Sequence, residues 1–419
     1  MTTDEFIDLH RNADVRQLAL QKPPAGVGLQ YALQQIEGWQ TARRKLPSWA
    51  ATPGIVFPPR LSMEQCSSEA TARYKRQLIA DAAANTPGIS GGIAGHGGDL
   101  TGLIGSLTDL TGGLGADFFA MAPLFLRATY VERLPELVAT ARHNGLCLGI
   151  TATTDCHFVA VDAEDHLRQM APTDVVYLDP ARRDGAGRKV VRIEECSPDI
   201  GALQDVLLAK SRLCVVKLSP MLDISAARRA LPATSEVHVV SLDGECKEVV
   251  LLMNATPAHG APRIVCAMLH SDGTAHTTFA FSPDEEAEAT VGYATSIDAY
   301  LYEPDAAILK AGAYKLTALR HGVDKLAPHT HLYTSPQLVG DFPGRRWRVC
   351  QHASFAKREL RAMLADVRTA ELAVRGFPAT VATLRRQLNI ADGPGAHLIA
   401  TTLADGSHRL LRVEPLAPA

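Results

Sequence analysis

The chain has 419 residues, 46% of them hydrophobic and 21% charged, with a formal net charge of -3; this length allows two to four domains, and this charge excludes a nucleic-acid footprint spread over the whole surface. Its eight cysteines, at positions 66, 147, 156, 196, 214, 246, 266 and 350, form no CxxC pair, which excludes a zinc ribbon or a disulfide framework and fits a reducing compartment. No apolar run reaches the ~18 residues of a membrane span, and the opening MTTDEFIDLH is acidic without an apolar signal core, so a soluble cytoplasmic protein with no membrane partner is expected.

Residues 1–80 read as helical. In SSEATARYKRQLIADAA, Ser67 and Ser68 are cap-type residues, Glu69 sits in the first turn, and Tyr74 and Leu78 share a face one turn apart. Residues 89–106, ISGGIAGHGGDLTGLIGS, are glycine-rich without periodicity, lack a GxGxxG pattern and read as an insertion. From 105 to 255, strands predicted at 106–110, 124–131, 157–161, 174–178 and 212–218 alternate with helices such as LPELVATARHNG at 134–145. That alternation predicts a parallel sheet covered on both faces. EVHVVSLDGECKEVVLLM sets two apolar runs around Asp243-Gly244, a hairpin closing the sheet, and a second hairpin is predicted at Asp272-Gly273. Past residue 260 the pattern becomes α+β: an acidic loop SPDEEAEA, a helix from Pro304 to His321, and strands at THLYTS and RRWRVC. Helices at 353–373 and 378–389 and a hairpin around Asp405-Gly406 complete it.

The stretch LTDLTGGLGADFFAMA carries Gly112, Gly113 and Gly115 between an apolar run and a helix start. Glycine there allows something else to approach the backbone. Acidic residues stand at the carboxyl ends of four successive predicted strands: Asp109, Glu132, Asp162 and Asp179. In open α/β sheets that edge binds ligands. Glu132 follows the loop at the distance suited to both ribose hydroxyls, and Asp162 suits an adenine amino group. The same spacing fits a nicotinamide cofactor, but GxGxxG is missing, and Asp109, with Asp117 just after it, is unfavourable beside a pyrophosphate. The acids suit a ligand carrying an amine and a sulfonium, and S-adenosylmethionine carries both. The candidate cofactor residues are Asp109, Thr111, Gly112, Gly113, Gly115, Asp117, Glu132 and Asp162. A tight strand-to-helix turn with capping aspartates is the competing explanation.

The segments DLTGGLGADFF, YVER, VDAEDHL, YLDPARRDGAGRKVVRIEECSPD and VVKLSPMLDI resemble the class I methyltransferases of the bacterial THUMP-like-domain family. So do SMEQCSSEATARYKR, YLYEPDAAILKAGAYKLTALRHGVDKLAPHTHLYTS, FPGRRWRV, FPATVATLRRQL and HLIATTLADGSHRLLR, in the same order from about residue 60 to the end. The resemblance implies an α/β, Rossmann-like methyltransferase core at 81–258 behind the helical segment 1–80. It further implies α+β units at the C-terminus, ferredoxin-like at 259–344 and THUMP-like at 345–419. Modules of the latter kind bind structured RNA, often tRNA. The 89–106 insertion departs from the family by its length.

Asp179-Pro180 stands where amino-group methyltransferases carry an acidic or amide residue before Pro-Pro-aromatic. A carboxylate accepting an N–H can orient the delocalised lone pair of a base nitrogen toward a methyl group. Here the motif reads Asp-Pro-Ala-Arg, which is also close to the Asp-Pro-Pro-Arg of uracil C5-methyltransferases. Those need a cysteine nucleophile after the fifth strand, where this chain has Ser219-Pro220, so nitrogen methylation is favoured. The candidate catalytic residues are Asp179, Pro180 and Arg182. Between Arg345 and Leu388 ten basic residues face three acidic ones, a local +7. The candidate RNA contacts are Arg345, Arg346, Arg348, Lys357, Arg358, Arg385 and Arg386, with Trp347 available for stacking. The histidines show no metal-ligand spacing, and no metal is expected. An RNA-binding protein with a vestigial core and a methyltransferase of small molecules or proteins are the rival readings.

Overall fold

The chain opens with helices α1 (Thr3–His10), α2 (Val15–Ala19), α3 (Leu29–Lys45), α4 (Pro47–Ala51), α5 (Arg60–Gln65) and α6 (Glu69–Ala84). Thr2 starts α1 through a capping box with Glu5. Of the two serines before α6, Ser68 is the cap, its hydroxyl accepting from the Thr71 amide at 3.2 Å; Ser67 turns inward. The computed structural model describes residues 1–89, 104–181, 193–254, 261–271 and 277–417. It divides into two units. One comprises Met1–Val237, Glu248–Gly260 and His270–Thr274, and the other His238–Lys247, Ala261–Leu269 and Ala275–Ala419. Residues 90–103, most of the glycine-rich insertion, lie outside the described residues.

The first unit alternates as its sequence predicts. In order come β1 (Ile104–Asp109), α7 (Ala116–Met121), β2 (Phe125–Glu132), α8 (Pro135–Cys147), β3 (Asp155–Ala160), α9 (Ala163–Gln169), β4 (Thr173–Leu178), α10 (Ile200–Lys210), β5 (Ser211–Leu218), α11 (Ile224–Ala230), β6 (Thr234–Leu242) and β7 (Glu245–Asn254). Strands β3-β2-β1-β4-β5 run parallel in that order, and β7 joins β5 antiparallel. The turn between β6 and β7 is Asp243-Gly244, both at positive φ (52° and 77°), the conformation a tight hairpin demands. Chain order reverses between β1 and β4, so their carboxyl ends open a crevice that the crossover connections leave uncovered. β1, β4 and β5 are nearly wholly buried, which fixes the loops at that edge on a rigid base.

The second unit begins with the tip of the β6–β7 hairpin. It continues through β8 (Arg263–Leu269), β9 (Thr277–Phe281), α12 (Pro283–Glu288), β10 (Tyr300–Pro304), α13 (Ala306–Ala311), α14 (Tyr314–His321), β11 (Asp324–Ala327) and β12 (Thr330–Ser335). After these come β13 (Gly344–Ser354), α15 (Lys357–Met363), β14 (Thr369–Arg375), α16 (Val381–Leu388), β15 (Ala391–Asp392), β16 (Ala396–Thr402) and β17 (His408–Pro415). Strands β8 and β9 pair antiparallel, while the turn predicted at Asp272-Gly273 lies outside the described residues. An eight-stranded sheet of order β11-β12-β10-β13-β17-β16-β14-β15 forms the body.

Three predictions for this half need correction. The acidic loop is helix α12, because Ser282 and Glu285 make a capping box. The helix predicted from Pro304 to His321 breaks at Gly312, which ends α13 at φ 83°. The helix predicted at 353–373 stops at Met363, and Thr369–Arg375 is a strand with Ala370 and Leu372 buried on one face. That face carries a core of Leu372, Leu398, Ala400 and Leu410 under Met363 of α15 and Leu384 of α16. The alternate residues, Ile399, Leu411 and Val413, pack on the other face with Leu301 and Trp347.

Leu384 is the one buried side chain of α16 and is fully covered. Leu384→Ala should therefore destabilise this unit by about 2–5 kcal/mol. Urea unfolding followed by circular dichroism checks this, and an unchanged midpoint would show that α16 is held by something else.

Candidate active site

The crevice at the ends of β1 and β4 is built from backbone-fixed acids. Asp109, the last residue of β1, is 1% exposed. Its Oδ1 accepts the Thr111 amide at 2.9 Å, and the Thr111 hydroxyl accepts the Asp179 amide at 2.6 Å, which ties the loop after β1 to the end of β4. Burial, and after it repulsion from Asp117, Asp179 and Glu132, pushes the Asp109 carboxyl well above the usual carboxylate range despite the Thr111 bond.

The glycines have a partly different reason from the one expected. A β-carbon on Gly112 would stand 2.2 Å from the Tyr130 ring, and one on Gly115 2.6 Å from the Phe119 ring. The space they leave is filled by aromatic packing beneath the loop. Gly113 at φ 53° and Gly115 at φ 92° also hold conformations that favour glycine. The Tyr130 hydroxyl donates to the Gly113 carbonyl, and the Gly113 amide donates to Glu132 Oε2 at 3.1 Å. Glu132 Oε1 accepts the Leu134 amide at 3.0 Å. Two amides thus fix the carboxylate plane and leave further lone pairs for other donors. Asp162 is exposed and caps α9, accepting the Glu164 amide at 2.9 Å.

Sequence reasoning missed the ammonium groups. Lys75 of α6 is fully buried, 2.5 Å from Glu248 of β7 and 3.2 Å from Asp117 at the start of α7. Asp117 Oδ2 also accepts the hydroxyls of Ser67 and Tyr177, each at 2.7 Å. Lys217 of β5 lies 2.6 Å from Asp179 Oδ2. Burial alone would raise Asp117, but the two lysines with Tyr177 and Ser67 outweigh it and hold it below its ordinary value. Burial would lower Lys217, yet Asp179, Asp117 and Glu248 raise it, so it keeps its proton. Burial lifts Asp179 and Glu248 above their ordinary values against the lysines. A readable signal existed: Lys217 interrupts the apolar run LCVVKL, and Lys75 sits beside Tyr74 on a helix otherwise buried through Leu78 and Ile79.

Among the described residues, five carboxyl groups (Asp109, Asp117, Glu132, Asp179, Glu248) therefore stand at or beneath this edge with two ammonium groups (Lys75, Lys217). Asp117 Oδ1 is buried and faces the Lys75 ammonium at 3.2 Å, its only close polar contact among the described residues. Pro180 is buried beside Asp179, and Ala181 bridges to Ser197 through two backbone bonds of 2.9 and 3.0 Å. Arg182 lies outside the described residues. Ser219-Pro220 follows β5, with the Ser219 hydroxyl accepting the Met221 amide at 3.2 Å.

The basic segment of the second unit divides in two. Arg346 is buried and donates to the carbonyls of Gly340 and Ala417; Trp347 is half-buried in the sheet core; Arg385 donates to Ala370, Ala391 and Asp392. The guanidinium groups of Arg346 and Arg385 are thus engaged within the fold, and part of Trp347 packs in the core. Arg345 is exposed 3.8 Å from Glu303, and Arg348 is exposed and paired with Glu414. Lys357, Arg358, Arg361, Arg368 and Arg386 are exposed and have no ion pair among the described residues. No group of metal-ligating side chains, and no helix long and apolar enough to cross a membrane, occurs among the described residues.

A ferredoxin-like family model matches residues 300–343 and a THUMP domain-like model matches 344–415. A candidate methyltransferase from Porphyromonas gingivalis W83, known from a crystal structure, is 32% identical, with 99% of this chain and 97% of that one aligned at a TM-score of 0.81. Uncharacterised S-adenosylmethionine-dependent methyltransferases from two Mycobacterium tuberculosis strains, CDC 1551 and H37Rv, are 28% identical over 296 residues. That match spans 70% of this chain and 76% of each relative.

The raised Asp109 has a consequence for stability. A carboxyl whose folded-state pKa lies above its unfolded value of about 3.9 is neutral and uncostly at low pH; its penalty grows as pH rises through the gap between the two values. Asp109→Asn keeps the acceptor for Thr111 and removes that penalty. The cofactor-free variant should gain thermal stability over wild type, more at pH 8 than at pH 5. Melting curves at the two pH values test this, and a gap that does not widen with pH would refute it.

Proposed function

The chain belongs to the class I S-adenosylmethionine-dependent methyltransferases that carry a THUMP-like domain, and from that membership we propose that it methylates a base nitrogen in structured RNA, tRNA before rRNA. The observation that supports the cofactor placement is the excess of acid among the described residues of the crevice, five carboxyl groups beside two buried lysines. Bound there, S-adenosylmethionine supplies a sulfonium methyl group that a nucleophile can take. Glu132, its plane fixed by Gly113 and Leu134, accepts the two ribose hydroxyls. Asp162, at the end of β3, reaches the adenine amine. Asp109 and Asp117, with the loop Thr111, Gly112, Gly113 and Gly115, hold the cationic methionine part. Of these, Asp109 and Asp117 beside the loop suit a cation and oppose a pyrophosphate.

Asp179 accepts an N–H of the incoming base and turns its lone pair toward the methyl group, beside a rigid Pro180. Uracil C5 methylation needs a cysteine nucleophile, and the chain offers Ser219 after β5 instead. The unpaired Lys357, Arg358, Arg361, Arg368 and Arg386 favour RNA over a small molecule or a protein.

Labelled methyl transfer from S-adenosylmethionine to tRNA and to rRNA tests the reading, with nucleoside mass spectrometry locating the product. Absence of label in either RNA would sink it. Glu132→Ala should weaken cofactor binding by about ten- to a hundred-fold, the loss of hydrogen bonds to a charged group, and unchanged affinity by calorimetry would remove Glu132 from the site. Arg358→Ala with Arg361→Ala should lower RNA affinity and flatten its salt dependence by about two in log–log slope. A slope equal to wild type would place the RNA elsewhere.

A further inference from the structure

Lys217 raises a question that the cofactor site does not answer. It stands in β5 among Cys214, Val215, Val216 and Leu218, all buried, and is itself 8% exposed. An ammonium in such a place is costly unless a partner and its geometry compensate. The nearest partner is Asp179 Oδ2 at 2.6 Å. Asp179 is otherwise anchored through its amide on Thr111, and its side chain is 34% exposed at the crevice. Its second oxygen has no partner among the described residues.

Resting on the nitrogen-methylation reading above, we propose that Lys217 is a positioning residue: it fixes one oxygen of Asp179 from behind, so that the other faces the crevice as an ionised acceptor for an N–H of the base. The charges bearing on Asp179 make this role specific. Lys217 on β5 and Lys75 on α6 favour its ionised form; Asp117 on α7 and Asp109 on β1 oppose it. Tyr177 on β4 and Glu248 on β7 complete the surroundings, the latter holding Lys217 protonated. Lys217 therefore cannot act as a proton acceptor. With Lys217 removed, burial and the flanking acids drive Asp179 toward its neutral form, a hydrogen-bond donor where an acceptor is needed. Asp179 held this way is a poor base for removing a proton from a hydroxyl and a good acceptor for an amine already bearing N–H. That chemistry selects an amine-bearing base over a ribose hydroxyl.

Two measurements test the role. First, the Asp179 side-chain carboxyl is followed by carbon-13 NMR in aspartate-labelled full-length protein, assigned with Asp179→Asn. Its titration midpoint should rise by at least one pH unit in Lys217→Met and move by less than half a unit in Lys217→Arg. Second, the rate of methyl transfer to a tRNA fraction is recorded against pH. Lys217→Met should shift the acid limb upward and recover at high pH, and adding it to Asp179→Asn should cause no further loss. An unmoved midpoint in Lys217→Met, or a pH-independent loss that multiplies with that of Asp179→Asn, would overturn the proposal. If Lys217→Met does not fold, Lys217→Arg decides: a midpoint displaced by more than one unit overturns it, and a retained midpoint with a wild-type acid limb supports it. Should wild type transfer no methyl to RNA, the RNA reading fails while the NMR arm still decides the part assigned to Lys217.

Discussion

A fully buried lysine, Lys75, joins a helix, a loop and a strand that are far apart in sequence. Its ammonium meets Glu248 at the start of the buried part of β7 and Asp117 at the start of α7, and takes in the Ser67 hydroxyl at 3.2 Å. A buried pair of this kind gives weak net stability compared with an apolar replacement, but losing one partner leaves a charge stranded at a cost of about 3–5 kcal/mol. Its effect is therefore one of placement. α6 cannot shift along the sheet without stranding two acids. The loop carrying Asp109 to Asp117 inherits its position from that contact at one end and from Thr111 on Asp179 at the other.

The same loop illustrates how a glycine signal read as a ligand's approach can have a packing reason. Three glycines in a strand-to-helix turn signal a close approach, and close approach is what they provide. For Gly112 and Gly115, however, the approaching groups are the Tyr130 and Phe119 rings. Those rings belong to an aromatic cluster with Phe118 and Phe158, at centroid distances of 5.3 to 6.4 Å. The packing stiffens the loop from below, and the Tyr130 hydroxyl pins the Gly113 carbonyl. A stiff loop is what allows the Gly113 amide to hold Glu132 in one orientation, and for the proposed cofactor that would reduce the ordering cost of binding.

How much of this was legible in the sequence follows from the range of the interactions involved. Local rules located β1 to β5 within a few residues, the Asp243-Gly244 turn and the acids at the strand ends, because periodicity and turn chemistry are short-range. They failed at Thr369–Arg375, a short strand whose residues Ala, Glu and Leu favour helix; its pairing with β16 and its buried Ala370 and Leu372 override that preference. They also failed to pair Lys75 with Glu248, 173 residues away, since charge complementarity at such separation leaves no local pattern. Lys217 left a readable signal, a cation inside the apolar run Leu213–Leu218, and a charge in such a run implies a partner somewhere in the fold.

Counting charge along the chain misleads for a similar reason. The ten cations from Arg345 to Arg386 are one block in sequence but several populations in space. Arg346 and Arg385 tie loops to backbone carbonyls, and Arg375 grips the buried Glu303 that also lies near Arg345. Guanidinium groups suit this structural work because a planar fork can satisfy several acceptors at once. Five cations, Lys357, Arg358, Arg361, Arg368 and Arg386, are exposed and without an ion pair among the described residues. Four of the five sit on or just after α15, a helix whose burial on the sheet through Met363 leaves the rest of its surface to solvent. A short rigid helix presenting cations at one-turn spacing can meet successive phosphates with little loss of side-chain order. The acidic crevice of the first unit repels the same phosphates. If the proposed RNA reading holds, exposed cations on α15 and acids at the crevice would draw the two ligands to different places.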